Sequence, residues 1–267
     1  NLITLEDGRV YLKGGVTETN VAAYPDATGG LAYTGTTFST ASQVSYETDI
    51  AWDGTYLYVS ERGSSGAVYR YNTSGVYQNV SWSVASQDNT MQGMVCVGSD
   101  FYLCGDQNHK VYKYNSSGVF QSDFSVVSQG SHPNAIAYDG TYLWVLSYGE
   151  QRVYKYTTAG VYQNVSFSVQ AESTNCHGLT WDGTHFWFSE RATDKLFQYT
   201  ASGVYTGFSF SLASQGTSPY GVVWDGSALW TVDNSSSAAF KYQNQIGVNS
   251  VSSGYGLLGQ QNYVRIK

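Results

Sequence analysis

One phrase constrains this chain more than any other: "WDGTYLYVSERG" at residues 52–63 returns as "YDGTYLWVLSYG" at 138–149, "WDGTHFWFSERA" at 181–192 and "WDGSALWTVDNS" at 224–235. Taken as markers, the turn dipeptides Asp7-Gly8, Asp53-Gly54, Gly98-Ser99, Asp139-Gly140, Asp182-Gly183 and Asp225-Gly226 follow one another at intervals of 41 to 46 residues. A period of about 40 to 50 residues built from short strands belongs to propellers. Within each period four apolar stretches are separated by turn chemistry, as in "NAIAYDG", "TYLWVLS", "RVYKYTTAG" and "VYQNVSFSV". Asp-Gly between the first two reads as a two-residue type I′ hairpin. The third and fourth are joined by a four-residue turn ending in Gly75, Gly118, Gly160 or Gly203, where a left-handed residue is needed.

The first two stretches are apolar on both faces, as in Tyr142-Leu143-Trp144-Val145-Leu146 and Phe186-Trp187-Phe188, so both faces must be covered. The fourth mixes Asn, Gln and Ser with aromatics and reads as an outer edge. An all-β, six-bladed β-propeller of four-stranded antiparallel blades meets these demands. It would form a single domain over 1–267, with repeats at about 1–46, 47–91, 92–132, 133–175, 176–218 and 219–267. The alternative is five blades, with residues 1–20 a tail and the N-terminal stretch supplying the last blade's fourth strand. In the six-blade reading that strand is either "IGVNSV" or the terminal "NYVRIK". The latter would close its own blade or be donated to a neighbouring subunit.

Residues 108–145, "NHKVYKYNSSGVFQSDFSVVSQGSHPNAIAYDGTYLWV", carry a family pattern: N-H-basic-apolar, an Asn-x-x-Gly turn, then Pro, an apolar strand and Asp. Pro219-Tyr220-Gly221-Val222-Val223 is a second instance. The chain resembles the NHL-type propeller repeat family here. That resemblance implies propeller architecture and leaves function open. NHL-type modules mostly bind proteins or RNA, while lyases and lactonases share the architecture.

Charge narrows the choice. Only 12% of residues are charged and the net charge is −7, with no Lys or Arg cluster, which argues against nucleic acid as a partner. No apolar run reaches the length of a membrane span. Opening on Asn1, the chain reads as processed or partial, and its abundance of Gly (29), Tyr (24), Ser and Thr fits an extracellular or surface-exposed setting. Cys96, Cys104 and Cys176 are odd in number, without metal-ligand spacing, and read as buried thiols, with Cys104 set opposite Met94. Sequons at Asn72, Asn79, Asn115, Asn164 and Asn234 are candidate N-glycosylation sites, Asn72 and Asn115 in the turn between third and fourth strands and Asn79 and Asn164 on the outer strand.

One propeller face collects the entries to the innermost strands, at Thr48-Asp49, Gln92-Gly93, Asn134, His177 and Tyr220, and the exits of the second strands, at Glu61, Asp106, Ser147, Glu190 and Asp233. Together they form a candidate axial ring. The sharp reading is a funnel enzyme of lyase or hydrolase type with an axial metal and His177 as base; the bland one makes the repeated acids turn caps. His177 and His132 are the residues that break the repeat. G-x-S-x-G, H-E-x-x-H, Walker and dinucleotide motifs do not occur, so no catalytic residue, metal or cofactor is assigned. The expectation is a non-catalytic binding or assembly module, an adhesin, virion or cell-surface component or filament subunit, whose partner is protein or glycan.

Overall fold

The computed structural model describes residues 2–4, 10–13, 30–63, 65–244 and 263–265. The Asp7-Gly8 turn and "IGVNSV" lie outside them. The chain divides into two units, residues 33–243 and the combination of 1–32 with 244–267.

The larger unit is a five-bladed β-propeller, each blade a four-stranded sheet, with no helix among the described residues. Blade I is β4 (Glu47–Trp52), β5 (Leu57–Glu61), β6 (Ala67–Tyr71) and β7 (Tyr77–Ser83). Blade II is β8 (Met91–Val97), β9 (Asp100–Gly105), β10 (Lys110–Tyr114) and β11 (Phe120–Ser125). Blade III is β12 (Pro133–Tyr138), β13 (Leu143–Ser147), β14 (Arg152–Tyr156) and β15 (Tyr162–Ser168), and blade IV is β16 (Cys176–Trp181), β17 (His185–Glu190), β18 (Lys195–Thr200) and β19 (Tyr205–Ser211). Blade V joins β20 (Pro219–Trp224), β21 (Leu229–Asp233) and β22 (Ala238–Asn244) to β3 (Leu31–Ser39) from the other end of the chain.

Strand β3 decides the blade count. It fills the outer position of the last blade, so six blades give way to five and "NYVRIK" does not close the propeller. In the smaller unit, β23 (Tyr263–Arg265) pairs instead with β2 (Val10–Lys13), Tyr11 opposite Arg265, and β2 pairs with β1 (Leu2–Thr4). The outer strand could come from residues 31–39 because Thr37 and Thr34 also bond back to β22, through the carbonyls of Ala239 (2.9 Å) and Lys241 (3.1 Å).

The aromatic repeat has a physical account at each blade junction. An outer-strand ring packs on the third-strand tyrosine of the next blade: Phe38 on Tyr71 (5.3 Å between centroids), Trp82 on Tyr114 (5.2 Å), Phe124 on Tyr156 (5.7 Å), Phe167 on Tyr199 (6.3 Å) and Phe210 on Tyr242 (5.6 Å). The turn glycine beside that tyrosine leaves room for the ring. A Cβ on Gly75 would lie 2.0 Å from Phe38, and one on Gly203 2.1 Å from Phe167. These glycines also hold left-handed φ angles, +79° at both positions, so the turn and the packing select the same residue.

Asp-Gly does not form the two-residue type I′ turn expected of it. Trp52 pairs with Leu57, and the Asp53 amide donates to the Tyr56 carbonyl at 3.2 Å, making a four-residue loop. The aspartate explains the longer loop. Asp182 accepts from the amides of Thr184 (2.8 Å) and His185 (2.7 Å) and from the Trp187 indole (2.6 Å). Asp139 and Asp225 do the same with Trp144 and Trp230, and Asp53 with the Tyr58 hydroxyl. All three cysteines are free. Leu103, rather than Cys104, lies opposite Met94. Burial pushes the Cys96 and Cys176 thiols up to about 12.

Candidate functional site at the axial mouth

The innermost strands β4, β8, β12, β16 and β20 surround the axis, and each carries a bulge near its start. Past the bulge the strands approach through residues with little or no side chain. A Cβ on Gly93 would lie 2.5 Å from the Ala135 Cα, one on Gly178 2.6 Å from the Tyr220 carbonyl oxygen, and one on Gly221 2.6 Å from the Asp49 Cα. At this level the sequence-predicted ring therefore packs blade to blade and does not line an open channel. Asp49 is the fixed point. Its Oδ1 accepts from the Ile50 amide (2.8 Å) and its Oδ2 from Met94 (2.7 Å), with a third backbone bond from Val222. Burial pushes this carboxyl well up, against those three donors. Thr48 is likewise committed, to the Ser60 hydroxyl at 2.9 Å.

Above this floor lies an arc of rings, His177 and Tyr220 from the bulges of β16 and β20, Tyr46 from just before β4 and Tyr148 from just after β13. Tyr46 and Tyr220 share a hydrogen bond between their hydroxyls and pack at 5.5 Å between ring centroids. Tyr220 packs on His177 at 4.7 Å, and His177 on Tyr148 at 5.2 Å. The arc crosses blades I, V, IV and III. The Arg191 guanidinium sits 4.8 Å from the Tyr220 ring centre and is braced by Ser218 at 3.0 Å. Arg191 and Arg62, both exposed, act on the same two groups. Burial, then the charges of Arg191 and Arg62, hold His177 down at about 4. Burial and Tyr46 push the Tyr220 phenol up while the two arginines oppose them. His177 is thus a neutral imidazole, Nδ1 facing Asn134 Nδ2 at 3.2 Å and Nε2 facing Asn175 Oδ1 at 3.0 Å. Asn134 is pinned beneath it by carbonyls of Cys176 and His177.

The acids at the second-strand exits belong to a different structure. Glu61 accepts from the Ser45 amide (3.2 Å) and the Ser45 hydroxyl (2.5 Å). Burial would raise its pKa, but the Ser45 and Ser65 hydroxyls and the Ser45 amide outweigh it and hold Glu61 low. Glu190 caps Thr193 (2.7 Å) and Asp233 caps Ser218 (2.7 Å). In blades II and III the same space is filled from elsewhere. Asp88 reaches in over Gly105, where a Cβ would lie 2.5 Å from its Oδ2, and Glu150 bonds Ser147, Ser131 and the Ser131 amide. Asp88 and Glu150 have no repeat-register signal, so sequence reasoning passes over them.

Asp106 is consequently not the equivalent of Glu61. Its amide donates to the Thr90 carbonyl just as Arg62 donates to Tyr46, Tyr148 to His132, Arg191 to Asn175 and Asn234 to Ser218. It therefore stands one residue beyond the caps, in the ring that carries Arg62, Tyr148 and Arg191, and its carboxylate meets the His132 imidazole at 2.7 Å. Gln92 is buried in blade II. Of the sequons, Asn79 and Asn164 are exposed, both with left-handed φ; Asn72 and Asn115 spend Oδ1 on turn amides, and Asn234 faces Glu47 at 3.4 Å.

No protein-family model and no curated protein matches the chain. Among solved structures, it is similar to a Myxococcus xanthus glutaminyl cyclase at 10% identity and a TM-score of 0.65, over 80% of this chain and 95% of that one. A streptogramin B lyase (17% identity, TM-score 0.49, 76% and 66% covered) and a virginiamycin B lyase from Staphylococcus aureus (13%, 0.49, 80% and 99%) are also similar. The likeness to the cyclase supports the propeller fold. It also corrects the expectation of a non-catalytic binding or assembly module, since that propeller, matched along nearly its whole length, is an enzyme's. Among the described residues no helix is long and apolar enough to cross a membrane.

Proposed function

We propose that the chain is a propeller enzyme of the lyase or hydrolase class whose substrate enters the axial mouth. The observation that carries this reading is the Tyr46–Tyr220 hydroxyl pair beside two exposed arginines. In a chain of net charge −7, two guanidiniums on one rim attract and hold an anionic substrate group such as a carboxylate. Tyr220 stays a phenol at neutral pH, because burial and Tyr46 raise its pKa. It is thereby a proton donor for an oxygen or nitrogen that becomes basic as a bond breaks. Charge that develops on that atom falls within reach of the arginines. His177, with both ring nitrogens engaged, holds Tyr220 and Tyr148 in place and is a positioning residue. Asp49 serves as the floor, its oxygens committed to backbone amides.

The fold likeness supports the enzyme class only, and glutaminyl peptides are the first substrates to test. We further propose an extracellular setting, a proposal supported by the composition and by the exposed sequons at Asn79 and Asn164. Ammonia release from glutaminyl peptides and hydrolysis of anionic aryl esters would be measured for the wild type, Tyr220→Phe and the Arg62→Ala/Arg191→Ala pair. The expected pattern is a fall in turnover of about 100-fold for Tyr220→Phe and a rise in KM of about 10-fold or more for the arginine pair. Turnover indifferent to both variants would remove the mouth as the reacting centre. No turnover, with no calorimetric binding of aromatic carboxylates, would end the reading.

A further inference from the structure

We propose that Asp106, His109 and His132 form a binding site for a divalent transition-metal ion of the Zn²⁺ type, on the rim where blade II meets blade III. Asp106 directly follows β9, His109 ends the turn into β10, and His132 immediately precedes β12. One ligand atom from each lies within 4.8 Å of the other two. His132 Nδ1 is 2.7 Å from Asp106 Oδ1, and the two imidazoles stand at 88° with centroids 5.4 Å apart. The His132 amide donates to His109 Nδ1 at 3.3 Å and fixes one ring beside the other.

Two imidazoles and one carboxylate select the metal class. Nitrogen ligands suit zinc, cobalt and nickel, whereas calcium and magnesium want oxygen throughout. Protein ligands to zinc lie at about 2.0–2.2 Å, so the three atoms need close by small side-chain rotations alone. Three protein ligands on an exposed rim leave the remaining position to water. The adjacent cation, Lys110, is paired with Asp123 at 2.8 Å and adds little repulsion.

The repeat supplies an internal comparison. Backbone bonds equate Asp106 with Arg62, Tyr148, Arg191 and Asn234, and His132 with Tyr46, Thr90, Asn175 and Ser218. The carbonyl that receives the next blade-edge amide equates His109 with Gly66, Gln151, Asp194 and Ser237. Only one of the five junctions has ligating side chains at all three positions. The left-handed φ of His109 (53°) recurs at Gln151, Asp194 and Ser237, so the fold imposes it. That of His132 (59°) has no counterpart at Tyr46, Thr90, Asn175 or Ser218. A non-glycine residue held there in a sparsely populated conformation, its ring against a carboxylate, is the kind of local strain that clusters at ligand sites.

The site is independent of what the mouth does, and its test reads the metal directly. Metal-free protein would be titrated with Co²⁺, followed by visible absorption, and with Zn²⁺ by equilibrium dialysis. One ion per chain is expected, with the intense visible band of low-coordinate Co²⁺. His109→Asn and His132→Asn keep a residue that tolerates left-handed backbone; each is expected to weaken binding at least about 10-fold to 100-fold. His185→Asn, on β17 in blade IV, should bind as the wild type does. Wild-type protein that takes up no Co²⁺ or Zn²⁺ overturns the proposal, as does equal binding by wild type and both variants, or an equal loss in His185→Asn. If the variants do not fold, the wild-type band decides alone.

Discussion

At the scale of single residues, the recurring aspartate of the hairpin loop has the most work to do. Asp182 terminates two backbone amides and one indole N–H within five residues of chain. Removing it strands three donors together, whereas removing the indole leaves the carboxylate two partners. Asp182→Ala is therefore expected to cost about 2–4 kcal/mol and Trp187→Phe about 1 kcal/mol less than that, read as shifts of the urea midpoint at constant m-value. His177 makes a second residue-scale prediction. Its folded pKa is lowered from 6.5 to about 4, so below pH 6.5 the unfolded chain binds a proton that the folded chain refuses. Stability from this residue is whole above about 6.5 and is lost as pH falls toward 4, by on the order of 1–3 kcal/mol. His177→Gln should flatten the stability profile across that window. An unchanged slope would show another group to be responsible.

At the scale of elements, closure rests on β3. Its Phe38 lies on Tyr71 of blade I (5.3 Å) and Trp230 of blade V (5.8 Å), so one strand joins the last blade to the first. A chain beginning at residue 40 is expected to expose the β22 edge, melt well below the full chain and self-associate. A synthetic peptide of residues 31–39 added in excess should restore the monomer and most of the melting temperature, which sedimentation and a thermal scan would show. The blades were legible in the sequence because strand pattern and turn glycine are local signals, repeated often enough to reinforce one another. Their number was not, because "LAYTGTTFS" and "NYVRIK" are equally plausible outer strands by alternation. What separates them is Phe38 meeting a turn glycine more than thirty residues away. In the same way the loop type was misread: Asp-Gly favours a tight turn, but the indole five residues on offers the carboxylate a better set of donors.

For the whole molecule, Asp49 is the residue through which blades I, II and V answer to one another at the axis. Asp49→Ala would leave buried amides of Ile50, Met94 and Val222 without acceptors. The loss is expected to be about 3 kcal/mol or more, with hydrogen exchange at Met94 and Val222 accelerated together, not singly. Exchange that rises at one blade only would show the centre to be a set of independent contacts. The candidate site was half legible at this scale. His177 stood out as a break in the repeat and Tyr220 as a strand-entry position of the ring, while Tyr46, Tyr148, Arg62 and Arg191 did not, because a ring of residues becomes a site only after the blades are in register.

The caps supplied by Asp88 and Glu150 bear on how such a chain can be rebuilt. In blade I the carboxylate comes from the end of the second strand, in blade II from the strand-entry loop and in blade III from the turn that follows. The three solutions exclude one another: a side chain at Gly105 would strike the Asp88 oxygen at 2.5 Å. Units that look interchangeable when written one beneath another are therefore not spare parts, and joining one blade's second strand to another blade's entry loop would place two carboxylates in one turn or none. Engineering by blade shuffling should succeed only when each loop travels with the acid that its own turn has come to depend on.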